Sequence, residues 1–207
     1  MVARFWSIWT ARNDRAFNDI AWNIVALREL VDSHVATWQE AFASASSLGG
    51  CHLSESWSPP PIGTVKCNVD AALHHGYVSF GAVLRNHEGG FVAACNGHIA
   101  CPRDPYLAES MAVKEALTWL KSCSFFNVII EYDCLNFCTA FNSLGEDFSY
   151  VGHLIRQCRL LATEVGNVLV CHVRRSANHV AHVLARATGS SPFFSVWDFI
   201  PPDVFRI

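Results

Sequence analysis

Charge of one sign is scarce in this chain. Against 15 Lys and Arg stand 18 Asp and Glu, a net charge of −3 over 207 residues. A global basic surface that would attract nucleic acid is therefore excluded, and any such contact has to come from a local patch. Long apolar runs are also missing. No stretch reaches the roughly 18 residues that a spanning helix needs, so no membrane helix is expected. The start, Met1 to Trp9, is too short and interrupted in its apolar character to serve as a secretory core. Nine cysteines are present, but none forms a Cys-x-x-Cys pair. Cys134 and Cys138 lie four apart with no second pair of zinc-like spacing behind them, which argues for reduced thiols rather than a metal or disulfide framework. A soluble intracellular protein is the expectation. What the chain does have is apolar substance: 51% of residues are hydrophobic and 16% charged, a composition able to bury a core.

Residues 46–63 divide the sequence. Before them, Ile20, Ile24, Leu27, Val31 and Trp38 recur at helical intervals, which predicts a helical N-terminal segment over 1–45. The division itself is rich in Ser, Gly and Pro and ends on Pro59, Pro60 and Pro61, a linker composition. After it the period shortens to two. Val65, Cys67 and Val69 alternate with Lys66, Asn68 and Asp70, which predicts a strand. Val78 to Arg85 and Phe91 to His98 flank the turn residues Asn86 to Gly90 and read as a hairpin. Ala108, Met111, Ala112, Ala116 and Leu120 form a helical stripe. Asn127 to Tyr132 is a β-branched strand. Helices over Leu135–Phe141 and Val151–Leu161 follow, then a strand over Val168–Val173. A last helix runs from Asn178 to Ala187, with Asn178 or Ser176 as its cap. The expected fold class is α/β: a mixed five-stranded sheet, its first three strands antiparallel, flanked by helices. The domain is expected over 64–190, with a C-terminal tail over 191–207.

Three acids fall at telling places in that scheme. Asp70 sits on the first strand, Glu109 in the first turn of the first helix, and Asp133 at the end of the fourth strand. If strand 4 lies beside strand 1, all three can meet. Singly, each has an ordinary structural explanation, as a turn former, a cap or a helix-dipole partner. Together they would repel one another unless a cation or a proton intervened. Oxygen donors of this kind suit Mg²⁺ or Mn²⁺.

Several motifs in order carry a resemblance. They are Asn68-Val69-Asp70-Ala71-Ala72, Phe80-Gly81 to Arg85-Asn86, Leu107-Ala108-Glu109-Ser110, Glu131-Tyr132-Asp133-Cys134, and Arg174-Arg175-Ser176-Ala177-Asn178 running to His182 and Ala185. The sequence resembles the ribonuclease H type-1 family, in the form of the ribonuclease H-like domain of plant non-LTR retroelement reverse transcriptases. Trp197 to Pro202 is similar to the tail of that branch, and Trp6 to Asp14 to the segment preceding its domain. Many ribonucleases H place a fourth acid where this chain has His182. A neutral imidazole there removes one charge and suits Zn²⁺ or Mn²⁺ better than Mg²⁺.

The resemblance implies an RNA–DNA hybrid ribonuclease. It implies two Mg²⁺ ions ~3.5–4 Å apart, with Mn²⁺ a possible substitute, held by Asp70, Glu109 and Asp133. Cleavage of the RNA strand would leave a 5′-phosphate and a 3′-hydroxyl. Asp70, Glu109, Asp133 and His182 are the expected catalytic residues. Arg85, Arg174, Arg175 and Asn178 are the expected nucleic-acid contacts. A nucleic-acid-binding remnant with little or no catalysis is the alternative, and the tryptophans at 6, 9, 22 and 38 leave room for a protein-interaction role.

Overall fold

The computed structural model describes residues 56–143, 145, 147–188 and 194–198, together with 23, 25, 26, 28 and 29. Of the N-terminal segment, residues 25, 26, 28 and 29 are helical. The positions on which that helix was read (Ile20, Ile24, Leu27, Val31 and Trp38) lie outside the described residues, as do 46–55 of the linker and Pro201 and Pro202 of the tail.

Six strands and four helices of eight or more residues make up the described domain. In chain order they are β1 (Val65–Leu73), β2 (Val78–Arg85), β3 (Phe91–Ile99), α1 (Pro105–Ser122), β4 (Asn127–Tyr132), α2 (Leu135–Asn142), α3 (Tyr150–Val165), β5 (Asn167–His172), α4 (His179–Arg186) and β6 (Ser195–Trp197). The sheet order is β5-β4-β1-β2-β3-β6. Strands β1, β2 and β3 pair antiparallel, whereas β4 runs parallel to both β1 and β5. Strand β6 adds a sixth strand to the five expected. Three residues carry almost no periodicity, and their pairing with Ala94 to Asn96 of β3 spans about a hundred positions. Among the described residues no helix is long and apolar enough to cross a membrane.

Alternation along β1 assigns the faces. Val65, Cys67, Val69 and Ala71 join Phe80, Ala82 and Leu84 of β2 in the main core, packed under Ala108, Ala112, Val113, Ala116 and Leu120 of α1. Helix α1 starts cleanly, because Asp104 accepts from the Leu107 amide at 2.7 Å and Pro105 holds the first position. The opposite face meets α4, where Ala181 and Leu184 pack on Val83 and Ala94. β1 is thus buried on both sides, and Lys66, Asn68 and Asp70 are as buried as their apolar neighbours.

Helix α4 sits unusually near the sheet because Gly81 lets it. A Cβ at that position would lie 2.5 Å from the Ala185 nitrogen and 2.9 Å from the Ala181 oxygen. Gly81 is paired with Asp70 across β1 and β2, so the close approach occurs beside the first acid. Side chains of the sheet then meet the carbonyls at the end of α4. Ser79 donates to Ala185 O at 2.7 Å and Asn96 to Leu184 O at 3.2 Å. Asn178 is the N-cap residue by position, but its side chain caps nothing and turns inward instead.

The segment before β1 lies against the same face. Trp57 stacks on the Arg85 guanidinium at 3.5 Å, and Ser58 O accepts from Lys66 at 2.7 Å. Among the described residues seven cysteines are free, as expected of reduced thiols, but Cys171 is disulfide-bonded.

Replacing Gly81 by Ala should push α4 off β2. A loss of about 1–3 kcal/mol is expected from overpacking against rigid backbone, measurable as a lowered denaturant midpoint. A gain in stability, as a strand normally shows on Gly→Ala, would contradict the close approach.

Candidate active site

The ends of β1 and β4, the second turn of α1 and the face of α4 meet at one place. Parallel pairing of β1 with β4 brings Asp70 and Asp133 together. Their carboxyls lie within hydrogen-bonding reach, and Glu109 lies within the field of both. Glu109 is the fifth residue of α1, so it lies beyond the first turn, where it was expected. The helix begins at Pro105 behind its Asp104 cap, one turn earlier than the acid suggested.

Burial sets the electrostatics. Asp70 is only 4% exposed. Loss of water and the neighbouring Asp133 raise its pKa to about 7, partly offset by Arg175. Glu109 is also raised to about 7, first by desolvation and then by Asp70 and Asp133, against the lowering effect of its bond from Tyr132. The Tyr132 hydroxyl donates to the Glu109 carboxylate and lies 3.0 Å from the Glu109 carbonyl.

His182 lies at the expected fourth position. Its Nδ1 is 2.7 Å from Asp70 Oδ2. Arg175 Nη2 sits 3.3 and 3.2 Å from the two ring nitrogens, against the ring rather than on a single lone pair. Desolvation, Arg175 and Arg186 hold the imidazole pKa below its ordinary value, against the pull of Asp133. A neutral ring donating from Nδ1 to Asp70 fits these neighbours.

The four expected nucleic-acid residues separate. Arg174 and Arg175 are exposed at the head of α4. Asn178 is fully buried. Its amide donates to Val69 O at 2.7 Å and to Asp133 Oδ1 at 3.3 Å. Arg85 also turns inward, giving a 2.5 Å bond to Asn68 Oδ1 under the Trp57 ring. Neither presents its polar end as a phosphate contact requires. Sequence reading passed over Tyr132, Asn68, Lys66 and Glu131. Each is a polar residue inside a strand, which was the available signal, but its partner is decided by the neighbouring strand.

The donor set suits a hard divalent cation. All three acids offer oxygen, and Asp70, buried, and Glu109, half-buried, are desolvated at a cost that positive charge would relieve. Glu109 is nevertheless turned onto Tyr132, and Asp70 is also bonded to His182. Among the described residues no three His, Cys, Asp or Glu side chains converge to hold a metal ion as they stand.

Comparison with known proteins bears on the family and the fold. The family described as reverse transcriptase-like matches residues 68–188. Among solved structures, the RNase H1 of the halophilic archaeon Halobacterium salinarum NRC-1 is similar at 24% identity and a TM-score of 0.55. That match covers 60% of this chain and 96% of the other. The N-terminal RNase H domain of a Mycobacterium tuberculosis protein is similar at 18% identity and 0.53, covering 59% and 91%. LC11-RNase H1 in complex with an RNA/DNA hybrid is similar at 16% and 0.54, covering 60% and 95%. Among curated proteins none matches. The fold is ribonuclease H-like, with one strand more than the sequence pattern indicated.

Stability should depend on pH through these acids. Asp70 and Glu109 have folded pKa values above their unfolded ones, so the folded state binds the extra protons between pH ~4 and ~7. Their contribution is full below pH ~4 and is lost as pH rises through ~7. His182 acts oppositely, since its lowered pKa removes stability as pH falls below its unfolded value. With two acids against one imidazole, the metal-free protein should lose stability from pH 5 to pH 8. Asp70→Asn should flatten that slope, as followed by thermal unfolding across pH. An unchanged slope in Asp70→Asn would contradict the raised pKa.

Proposed function

The chain belongs to the reverse transcriptase-like family, and from that premise we propose that it is an RNA–DNA hybrid ribonuclease. The observation that carries this reading is the meeting of Asp70, Glu109 and Asp133 where β1, α1 and β4 converge, two of them desolvated and all three in one another's field. A similar fold in LC11-RNase H1 is solved with an RNA/DNA hybrid bound, which supports the substrate class. We assign the lineage to plant non-LTR retroelements on the motifs from Asp70 to His182 and the Trp197 tail.

Asp70, Glu109 and Asp133 would hold divalent cations, two Mg²⁺ or in their place Mn²⁺. When bound, such ions supply Lewis acidity for hydrolysis of the RNA phosphodiester, leaving a 5′-phosphate and a 3′-hydroxyl. Asp70 is the central ligand, since it faces both Asp133 and α4. Glu109 must leave the Tyr132 hydroxyl to join it, and from there can reach the RNA 2′-hydroxyl that marks RNA from DNA. Asn178 holds Asp133 from below. Arg174 and Arg175, exposed at the rim, offer paired donors to phosphates. His182 keeps Asp70 oriented through Nδ1–H and can take up or return a proton at the other ring nitrogen, Nε2. The bond that holds Glu109 on Tyr132 favours one second reading: a hybrid-binding module with little catalysis, in which Glu109 stays there.

Labelled hybrid incubated with the protein and Mg²⁺, or with Mn²⁺, distinguishes the two. Cleavage of the RNA strand, lost by about 10³-fold or more in Asp70→Asn, is the expected result. Binding without cleavage under either ion would leave the binding module. His182→Asp should keep or raise Mg²⁺-dependent cleavage, because it restores an oxygen donor. A marked loss would give the imidazole a role that an acid does not fill.

A further inference from the structure

A buried relay of side chains reaches Asp133 along the face of the sheet that α4 covers. Trp57 covers the Arg85 guanidinium at 3.5 Å. Arg85 Nη2 donates to Asn68 Oδ1 at 2.5 Å. Asn68 Nδ2 donates to Asn178 Oδ1 at 3.1 Å and to Glu131 Oε2 at 3.0 Å. Asn178 Nδ2 donates to Asp133 Oδ1 at 3.3 Å and to Val69 O at 2.7 Å. Lys66 closes the side branch at 2.8 Å from Glu131. Asn68 and Asn178 are fully buried, and Lys66 and Glu131 are 7% exposed.

The direction of this relay is fixed by chemistry. Each carboxamide has one oxygen that accepts and one nitrogen that donates. A cation at one end, which can only donate, sets the oxygen of Asn68 toward it and its nitrogen away. That nitrogen sets the oxygen of Asn178, whose nitrogen then faces the carboxylate. Every bond runs from Arg85 toward Asp133, and the charged ends strengthen those between them. The two hydrogens of Asn178 also bracket β1 beside Asp70 and the end of β4. They hold together two strands whose acids repel.

We infer that Arg85, stacked under Trp57, is a positioning residue for Asp133, acting through Asn68 and Asn178, and is not a nucleic-acid contact. The inference rests on the proposed role of Asp133 in hybrid cleavage. It extends the working part of the molecule to the segment before β1, since Trp57 of that segment stacks on the guanidinium.

Steady-state cleavage and side-chain amide NMR test it together on the full chain. Arg85→Met should lower kcat about 10- to 100-fold through misplacement of Asp133 while KM stays within about twofold. It should speed hydrogen exchange of the Asn178 side-chain amide and shift the Asp133 carboxyl carbon. Arg85→Lys, which keeps the charge without the planar fork, should fall between. If Arg85→Met does not fold, Trp57→Leu carries the same expectations in weaker form. A raised KM with kcat kept, and a salt dependence reduced by about one ion, would make Arg85 a phosphate contact and overturn the relay. Should the unaltered protein cleave no hybrid, the ribonuclease reading fails by itself. The amide signals then decide: an Asn178 resonance indifferent to Arg85→Met overturns the relay, and a shifted one sustains it.

Discussion

A central strand buried on both faces must find a partner for every polar side chain it carries, and β1 carries Lys66, Asn68 and Asp70 on the face beneath α4. An unpaired amide or charge there would cost several kcal/mol, far more than one surface interaction returns. Lys66 is met by Glu131 and the Ser58 carbonyl, Asn68 by Arg85, Glu131 and Asn178, and Asp70 by His182. These partners come from β2, β4, α4 and the segment before β1. The requirement to satisfy one strand therefore organises four parts of the chain. It also explains why α4 approaches so closely, over a glycine that leaves room for its backbone.

Not every demand of that face is met equally. The Lys66–Glu131 pair has opposite charges and matching bonds, so its burial is compensated. Asp70 has instead a neutral imidazole and another carboxyl for company, and Glu109 a phenol. Uncompensated negative charge is thus concentrated at one edge of an otherwise balanced interior. Folds tolerate such a deficit where a ligand is to supply the missing charge. The same imbalance underlies the expected loss of stability toward alkaline pH.

His182 gains meaning in this setting. An acid at its place would add a further negative charge beside Asp70. The imidazole lowers that repulsion, and Arg175 packed against the ring discourages its protonation. Asp70 is thereby held in one orientation without being neutralised by a salt bridge.

Much of this was legible from local pattern. The alternation of Val65, Cys67 and Val69, the hairpin residues Asn86 to Gly90, and the stripe from Ala108 to Leu120 are short-range signals, and each element formed where they stood. The order of elements sufficed to set β4 beside β1 and so to bring Asp70 near Asp133. Other features depended on contacts remote in sequence. Strand β6 exists only because β3 offers an edge. Glu109 moved beyond the first turn because Asp104 and Pro105 start the helix earlier. Asn178, at a capping position, gave its amide to β1 and β4, and Arg85 turned under Trp57 from a segment that reads as linker. The sequence by itself determined which residues could be strands, helices and acids, since backbone period and residue chemistry are local. Only the tertiary structure decided which polar groups face each other, because burial makes an unpaired hydrogen bond costly and leaves each side chain to whatever partner the neighbouring element provides.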